Sequence, residues 1–339
     1  MGLKQLFASF IAPWATFADG SARTRTIVQA GAILALAVGA PASWGRGPLA
    51  QRDQLDRLGL ERPWFAQVPV DPQQSRISRW AFYRDRLFAV STSGLLSAID
   101  AESGATLWTS RVGKPGYPAF GPGANLDIVT AVSGSRLYGF DRDDGRLLWT
   151  RELGSAPASG PAVTKDHAFV ALLNGQIESY SLEDPTAQPW YYQSKGRTYQ
   201  RPTVTGPVVS WPTAGGLLYV CSAEDPHVLY RLETNDEIIA PPAELSPNLY
   251  VGSFDGYLYC IDELSGRERW RFSAGYPIAN TPAVIGDVAY VASTKPALHA
   301  VSTETGRELW QASGVERFAA CGKASVYAQG VSGSLIVLD

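Results

Sequence analysis

The stretch Leu95-Leu96-Ser97-Ala98-Ile99-Asp100-Ala101-Glu102-Ser103-Gly104-Ala105-Thr106-Leu107-Trp108 decides the fold, because it is repeated. Its skeleton of apolar alternation, Asp or Ser, three residues, Gly, three residues and Trp recurs over 136–149, 257–270 and 297–310. Degenerate copies fill the gaps: 176–190 is one residue longer, and 217–230 ends in Tyr230 in place of Trp. The closing aromatics at 108, 149, 190, 230, 270 and 310 are therefore spaced 41, 41, 40, 40 and 40. Self-similarity at a fixed period of this length marks a stacked repeat architecture.

Each copy reads as one supersecondary unit. The alternating run is a strand. Asp-x-x-x-Gly is a hairpin turn in which Asp caps its own backbone and Gly takes the positive φ. The aromatic then opens the next strand. Upstream of each core lies another strand, such as 87–91, 128–131, 168–172, 249–252 or 288–292. It is followed by a short turn ending at Gly94, Ser135, Gly175, Gly216, Gly256, Pro296 or Gly333. Farther upstream Pro122, Pro161, Pro202, Pro242 and Pro282 recur at spacings of 39, 41, 40 and 40. Proline is tolerated on an edge strand, where its missing N–H costs no ladder bond; these prolines are placed on the innermost strand. Four antiparallel strands repeating in this way are the blade of a β-propeller.

The turn position recurs seven times from Gly94 to Gly333, and the seventh copy stops at Asp339, short of its outer strand. Arg62-Pro63-Trp64-Phe65-Ala66-Gln67-Val68 resembles Trp108-Thr109-Ser110-Arg111-Val112 with no inner strands before it. It is expected to supply the missing strand and so remove the open edges of the ring. The expectation is an all-β fold: a seven-bladed β-propeller of four-stranded antiparallel blades over 58–339, closed by an N-terminal strand completing the last blade. Residues 43–57 are the linker. Each blade must bury its faces against two neighbours, so one flat side chain at a fixed place supplies much of each contact. Trp64, Trp108, Trp149, Trp190, Tyr230, Trp270 and Trp310 are read as these docking residues.

Composition agrees. The 339 residues include 33 Gly, 23 Pro, 10 Trp, 15 Tyr and 12 Phe, a composition of tight turns around an aromatic core. A net charge of −3 with 45% apolar residues excludes intrinsic disorder, a polybasic nucleic-acid binder and a polytopic membrane protein. At the N-terminus, the uncharged apolar run from Ile27 to Val38 follows Arg23 and Arg25 and precedes Gly39-Ala40-Pro41-Ala42. Basic flank, apolar core and small-residue cleavage site form a secretory pattern. The uncharged span from Thr26 to Gly45 is also 20 residues long, enough to cross a bilayer. Residues 1–42 are read as a signal peptide or signal anchor. The remainder is expected to be exported, either periplasmic or membrane-anchored and facing the periplasm or exterior.

The pattern Ala98-Ile99-Asp100-x-x-x-Gly104-x-x-x-Trp108, with copies at Asp141, Gly145, Trp149 and at Asp262, Gly266, Trp270, resembles the tryptophan-docking repeat of the pyrroloquinoline-quinone-like (PQQ-like) propellers. The resemblance runs from Trp64 to Asp339. That family includes quinoprotein alcohol dehydrogenases, an outer-membrane protein assembly lipoprotein of Gram-negative bacteria, and sensor ectodomains. Its dehydrogenases have eight blades, an adjacent Cys-Cys pair over the quinone, and calcium-binding acidic residues beside a catalytic Asp; this sequence has seven blades and no vicinal cysteines. The assembly lipoprotein acylates a Cys at the end of its signal peptide, and no Cys precedes Cys221 here.

Reactive constellations are missing from the pattern. His167, His227 and His299 fall in blades three, four and six with no metal-ligand spacing around them, so no metal site is expected. Cys221 and Cys260 occupy adjacent positions of corresponding strands and face opposite sides; with Cys321 they are read as small buried hydrophobes, not disulfide partners. In Asp141-Arg142-Asp143-Asp144-Gly145 the Gly comes one residue too early for an EF-hand, which favours a solvated hairpin turn. Neither Gly-x-Ser-x-Gly, a Walker loop nor His-Glu-x-x-His occurs.

One feature stands out from the packing. The loops from an outer strand to the next inner strand carry Arg76, Arg79, Lys114, Tyr117, Arg197, Tyr199, Arg201, Tyr276 and Arg317, and topology gathers them on one face around the channel mouth. Arg and Tyr on an otherwise acidic protein suit an extended peptide or an anionic group. The corresponding loop of blade five instead brings Asn235, Asp236 and Glu237. The leading expectation is a monomeric, exported, non-catalytic scaffold with no cofactor, presenting this face to a protein or envelope polymer. Two rivals stay open: a PQQ-dependent dehydrogenase, and a sensor ectodomain held by residues 27–45.

Overall fold

The computed structural model describes residues 66, 68, 75–114, 117–322, 325–331 and 333–338. Their strands pair into seven antiparallel sheets, six of four strands and one of three, and in every sheet the spatial order is the chain order. Blade one runs Ile77–Tyr83, Arg86–Ser91, Leu95–Asp100, Thr106–Arg111. The others cover 119–152, 162–193, 203–233, 243–273, 283–313 and 315–338. This is the seven-bladed propeller expected. Among the described residues no helix is long and apolar enough to cross a membrane.

A blade is sandwiched, so its middle strands are apolar on both faces. Arg86–Ser91, Ile128–Ser133 and Val208–Pro212 are buried almost throughout, whereas the outer strand Val228–Glu233 alternates between half-buried and exposed. Adjacent side chains of one strand serve different neighbours. Phe88, Val90, Leu96 and Ala98 pack on blade two, and Leu87, Ala89 and Ile99 face the other way. Equivalent clusters fill the junctions from blade two to blade seven, as Phe169 and Ile177 on Trp211 and Tyr219, or Tyr250 and Leu258 on Val291 and Val301. The periodic prolines fall where expected. Pro122 lies in the innermost strand Ala119–Ala124, and Pro161, Pro202, Pro242 and Pro282 immediately precede innermost strands of two or three residues.

The recurring Asp, Gly and Trp join one blade to the next. Asp100 Oδ1 accepts from the Glu102 and Ser103 amides at 3.2 and 2.7 Å, and Asp262 Oδ1 from those of Leu264 and Ser265 at 3.2 and 2.9 Å. Each turn thereby presents a carbonyl and a glycine to the preceding blade. Trp108 Nε1 donates to Arg142 O at 2.9 Å, Trp270 Nε1 to Thr303 O at 2.9 Å, and Tyr230 Oη to Glu263 O at 2.8 Å. The rings lie flat on Gly145, Gly306 and Gly266, where a Cβ would stand 2.4, 2.7 and 2.4 Å from the aromatic atoms. Those glycines have φ of 73°, 70° and 68°, so conformation and proximity both require Gly. Blades three and four carry no Gly in this turn. Trp149 of blade two lies instead against Gly139 of its own blade, and its Nε1 is buried without a hydrogen-bond partner among the described residues.

A β-bulge sets the docking residue in place. Ala98 pairs with Trp108 but Ile99 with Thr106, which leaves Leu107 as the extra residue; blades two, four, five and six show the same shift. Leu107, Leu148, Leu229 and Leu309 are 39–55% exposed, on the outward side that they share with Thr109, Thr150, Arg231 and Gln311.

Blade seven has three described strands, Val315–Cys321, Val326–Gly330 and Leu335–Leu338. Trp64 and most of the segment 62–68 expected to complete it lie outside the described residues. Of that segment Ala66 and Val68 pack on Leu87, Ala89 and Ile99, the face of blade one turned away from blade two. Cys221, Cys260 and Cys321 form no disulfide among the described residues; burial pushes the Cys221 thiol up to about 12 and that of Cys260 up to about 11.

Candidate functional site

Two end-to-end bonds recur around the ring and build the loop face. The residue after each outer strand donates its N–H to the turn between the second and third strands: Val112 to Gly94, Leu153 to Ser135, Ser194 to Gly175, Thr234 to Gly216, Ala274 to Gly256 and Gly314 to Pro296, at 2.7–3.0 Å. These acceptors are the turn residues whose recurrence was read in the sequence. The same turn donates to the incoming loop, as Ala214 N to Arg197 O, Phe254 N to Glu237 O and Thr294 N to Pro277 O at 2.8–2.9 Å. The loops are thus held by backbone; Thr198, Ile238 and Ile278 are buried beneath them, and side chains such as Arg197, Tyr199 and Tyr276 are exposed.

Of the predicted residues, Arg76, Lys114 and Arg197 are exposed in these loops, Arg79 is exposed within the innermost strand Ile77–Tyr83, and Tyr117, Tyr199 and Tyr276 are 56%, 55% and 46% exposed. The Arg197 loop rests on a rigid base: Lys195 N donates to Tyr219 Oη at 3.0 Å, Trp211 Nε1 to Ser194 Oγ at 2.9 Å, and the Trp211 and Tyr219 rings stack 5.7 Å apart. Tyr276 is braced by Lys295, whose Nζ lies 4.8 Å over its ring and 3.2 Å from its hydroxyl. The acidic blade-five loop is tied in by Asn235 N to Asp255 Oδ2 at 3.1 Å.

Arg201 differs from the others. Its guanidinium runs inward along the innermost strands, and a Cβ on Gly123 of blade two would stand 3.2 Å from Nη2. Burial lowers its pKa to about 10. It is a wall of the channel, not part of the exposed face, because the short strand after Pro202 begins against the axis.

The axis is lopsided. At blades two and three the backbones meet, with a Cβ on Gly160 falling 2.5 Å from Gly121 Cα. Toward blades five, six and seven a cavity of about 340 Å³ opens instead. Gln200, Asn280, Thr281 and Arg317 give it polar atoms; Ile239, Phe318 and Tyr290 supply apolar wall. Tyr290 and Phe318 stack at 4.8 Å. Of these polar groups the sequence reading found Arg317 and missed the rest. A signal was present: Phe120, Ser159, Gln200, Ala240 and Asn280 stand two residues before successive periodic prolines, and Gly121, Gly160, Arg201, Pro241 and Thr281 one before. The prolines fix the inner strands, so the residues before them line the channel.

The opposite end is occupied by packing. Arg86 pairs with Asp143 at 2.8 Å, and Arg142 with Asp85, so the acidic turn at 141–145 is held by arginines across blades one and two. His299 Nδ1 lies 2.7 Å from Glu308 Oε1 beside Phe272. Among the described residues no three of His, Cys, Asp and Glu gather as a metal cage.

Comparison with known proteins follows the fold. A family model described as outer membrane protein assembly factor BamB matches residues 57–160, 133–248 and 240–339. The outer membrane protein assembly factor BamB of Burkholderia pseudomallei is 24% identical over 234 residues, which span 63% of this chain and 59% of that protein. The one from Shewanella oneidensis is 32% identical over 99 residues, 28% of this chain and 23% of that protein. The crystal structure of BamB from Moraxella catarrhalis has a TM-score of 0.64 at 18% identity, covering 78% of this chain and 87% of its own. The computationally designed Ika8 protein gives 0.61 at 18% identity over 78% and 84%. The structural likeness shows the propeller, and the sequence match extends over every blade: the chain belongs to the PQQ-like repeat family described as outer membrane protein assembly factor BamB.

Proposed function

We propose that this chain is an exported, non-catalytic propeller that binds another protein in outer-membrane protein assembly through the face formed by its outer-to-inner loops. Membership of the assembly-factor family carries the reading. The face itself supports it. Tyr117, Tyr199 and Tyr276 are about half exposed on backbone-anchored loops beside Arg76, Lys114 and Arg197, and Tyr and Arg are enriched at protein interfaces because they contribute large contact area and directed donors. The other end of the ring is committed to blade docking.

The test is a double variant, Tyr117→Ala with Arg197→Glu. Both side chains are solvent-exposed, so thermal unfolding should stay within about 0.5 kcal/mol of the wild type. Capture of partner protein from an envelope extract should be lost. Undiminished capture by a folded variant would refute the loop face.

A further inference from the structure

We propose that the cavity between blades five, six and seven captures the carboxylate end of an apolar polypeptide chain. The inference rests on the loop face being a protein-binding surface and gives that surface a chemistry.

Charge comes first. Arg317 is the one charged side chain among the described residues lining the cavity, and it makes no ion pair or side-chain hydrogen bond among them. Burial raises the Tyr290 phenol, so that wall stays neutral. A lone guanidinium facing neutral walls favours one negative charge, and its fork matches a carboxylate with two parallel hydrogen bonds.

A carboxylate leaving water also needs further donors. Gln200 and Thr281 have no side-chain partner among the described residues, and Asn280 Nδ2 has only a 3.4 Å contact to Glu316 O. The apolar wall then separates kinds of carboxylate. An Asp or Glu side chain would bring no group to cover Ile239, Phe318 and Tyr290. A terminal residue carries an apolar side chain and its carboxylate on the same carbon, which places both against the appropriate wall. The side-chain amides of Gln200 and Asn280 can pair with the preceding peptide group, which a free fatty acid lacks. Tyr199 and Tyr276 stand on the loops that lead into Gln200 and Asn280, so earlier residues would lie across the exposed face. The volume of about 340 Å³ is at the small end of ligand sites, suited to one or two residues.

Calorimetric titration of the full chain with N-acetyl-Ala-Phe, its C-terminal amide and octanoate decides the matter. The acid should bind saturably and the amide about tenfold or more weakly, as expected for loss of a charge-assisted pair. Arg317→Gln should reduce the acid to the level of the amide while leaving thermal unfolding unchanged. Equal binding of acid and amide, an unaffected Arg317→Gln variant, or no saturable binding of the acid at millimolar concentration would each overturn the proposal. Tighter binding of octanoate than of the dipeptide would overturn its assignment to a chain end. The Tyr117→Ala, Arg197→Glu variant should bind the dipeptide normally although it loses its partner, so the two readings can fail separately.

Discussion

Gly145 and Gly275 have the same backbone conformation, φ of 73°, in different surroundings. A Cβ on Gly145 would stand 2.4 Å from the Trp108 ring, whereas one on Gly275 would meet nothing within 4 Å. Gly275→Ala therefore reports the conformational penalty alone, about 1 kcal/mol. Gly145→Ala adds displacement of the docked indole and loss of its bond to Arg142 O, for about 2–4 kcal/mol in all. Urea unfolding of the two variants measures the difference; equal costs would mean that the ring does not bear on the glycine. This lock was legible because both partners repeat at fixed offsets in sequence. Arg201 was not. A long cation in an interblade segment reads as solvated, and only the inward heading of the short strand after Pro202 puts it against the channel.

The turn that carries the lock is itself an electrostatic unit. Asp262 accepts from the Ser265 amide and hydroxyl, and Arg269 Nη2 reaches Oδ2 at 2.7 Å; these bonds, the Ser265 amide foremost, hold the carboxyl down at about 2. Its folded pKa lies below the usual value of 3.8, so the stabilisation is fully present above about pH 4 and fades as pH falls toward 2. Asp262→Ala should be less stable than the wild type at pH 7, and the gap should close between pH 4 and 2. A gap independent of pH would show that the charge contributes nothing. Strand alternation made the inner three strands readable in sequence. The bulge of the outer strand was not, because a residue skipped in the pairing leaves no mark in the alternation.

Ring closure depends on residues far apart in sequence, which is why the repeat could suggest it but not fix it. Trp310 is 36% exposed against 9% for Trp108. Val68 already packs on blade one. Deleting residues 58–70 should uncover Leu87, Ala89 and Ile99, lower the midpoint of thermal unfolding and promote aggregation through the open sheet edges. Unchanged unfolding would mean that the ring closes by other means. The blade count was legible from the period. The cavity was not, because it depends on which of seven inner strands approach the axis closely, and glycines at 121 and 160 draw two of them together.

The interblade bonds also bear on how the molecule comes into being. Trp108 is secured by the carbonyl 34 residues later, Trp270 by one 33 later, and Tyr230 by one 33 later. Every such fastening spans about one repeat, and short-range contacts form early in folding. A polypeptide threading out end-first from a ribosome or an export pore can consequently fix its first blade once residue 145 is free, then add one blade at a time, with no need to wait for the far terminus.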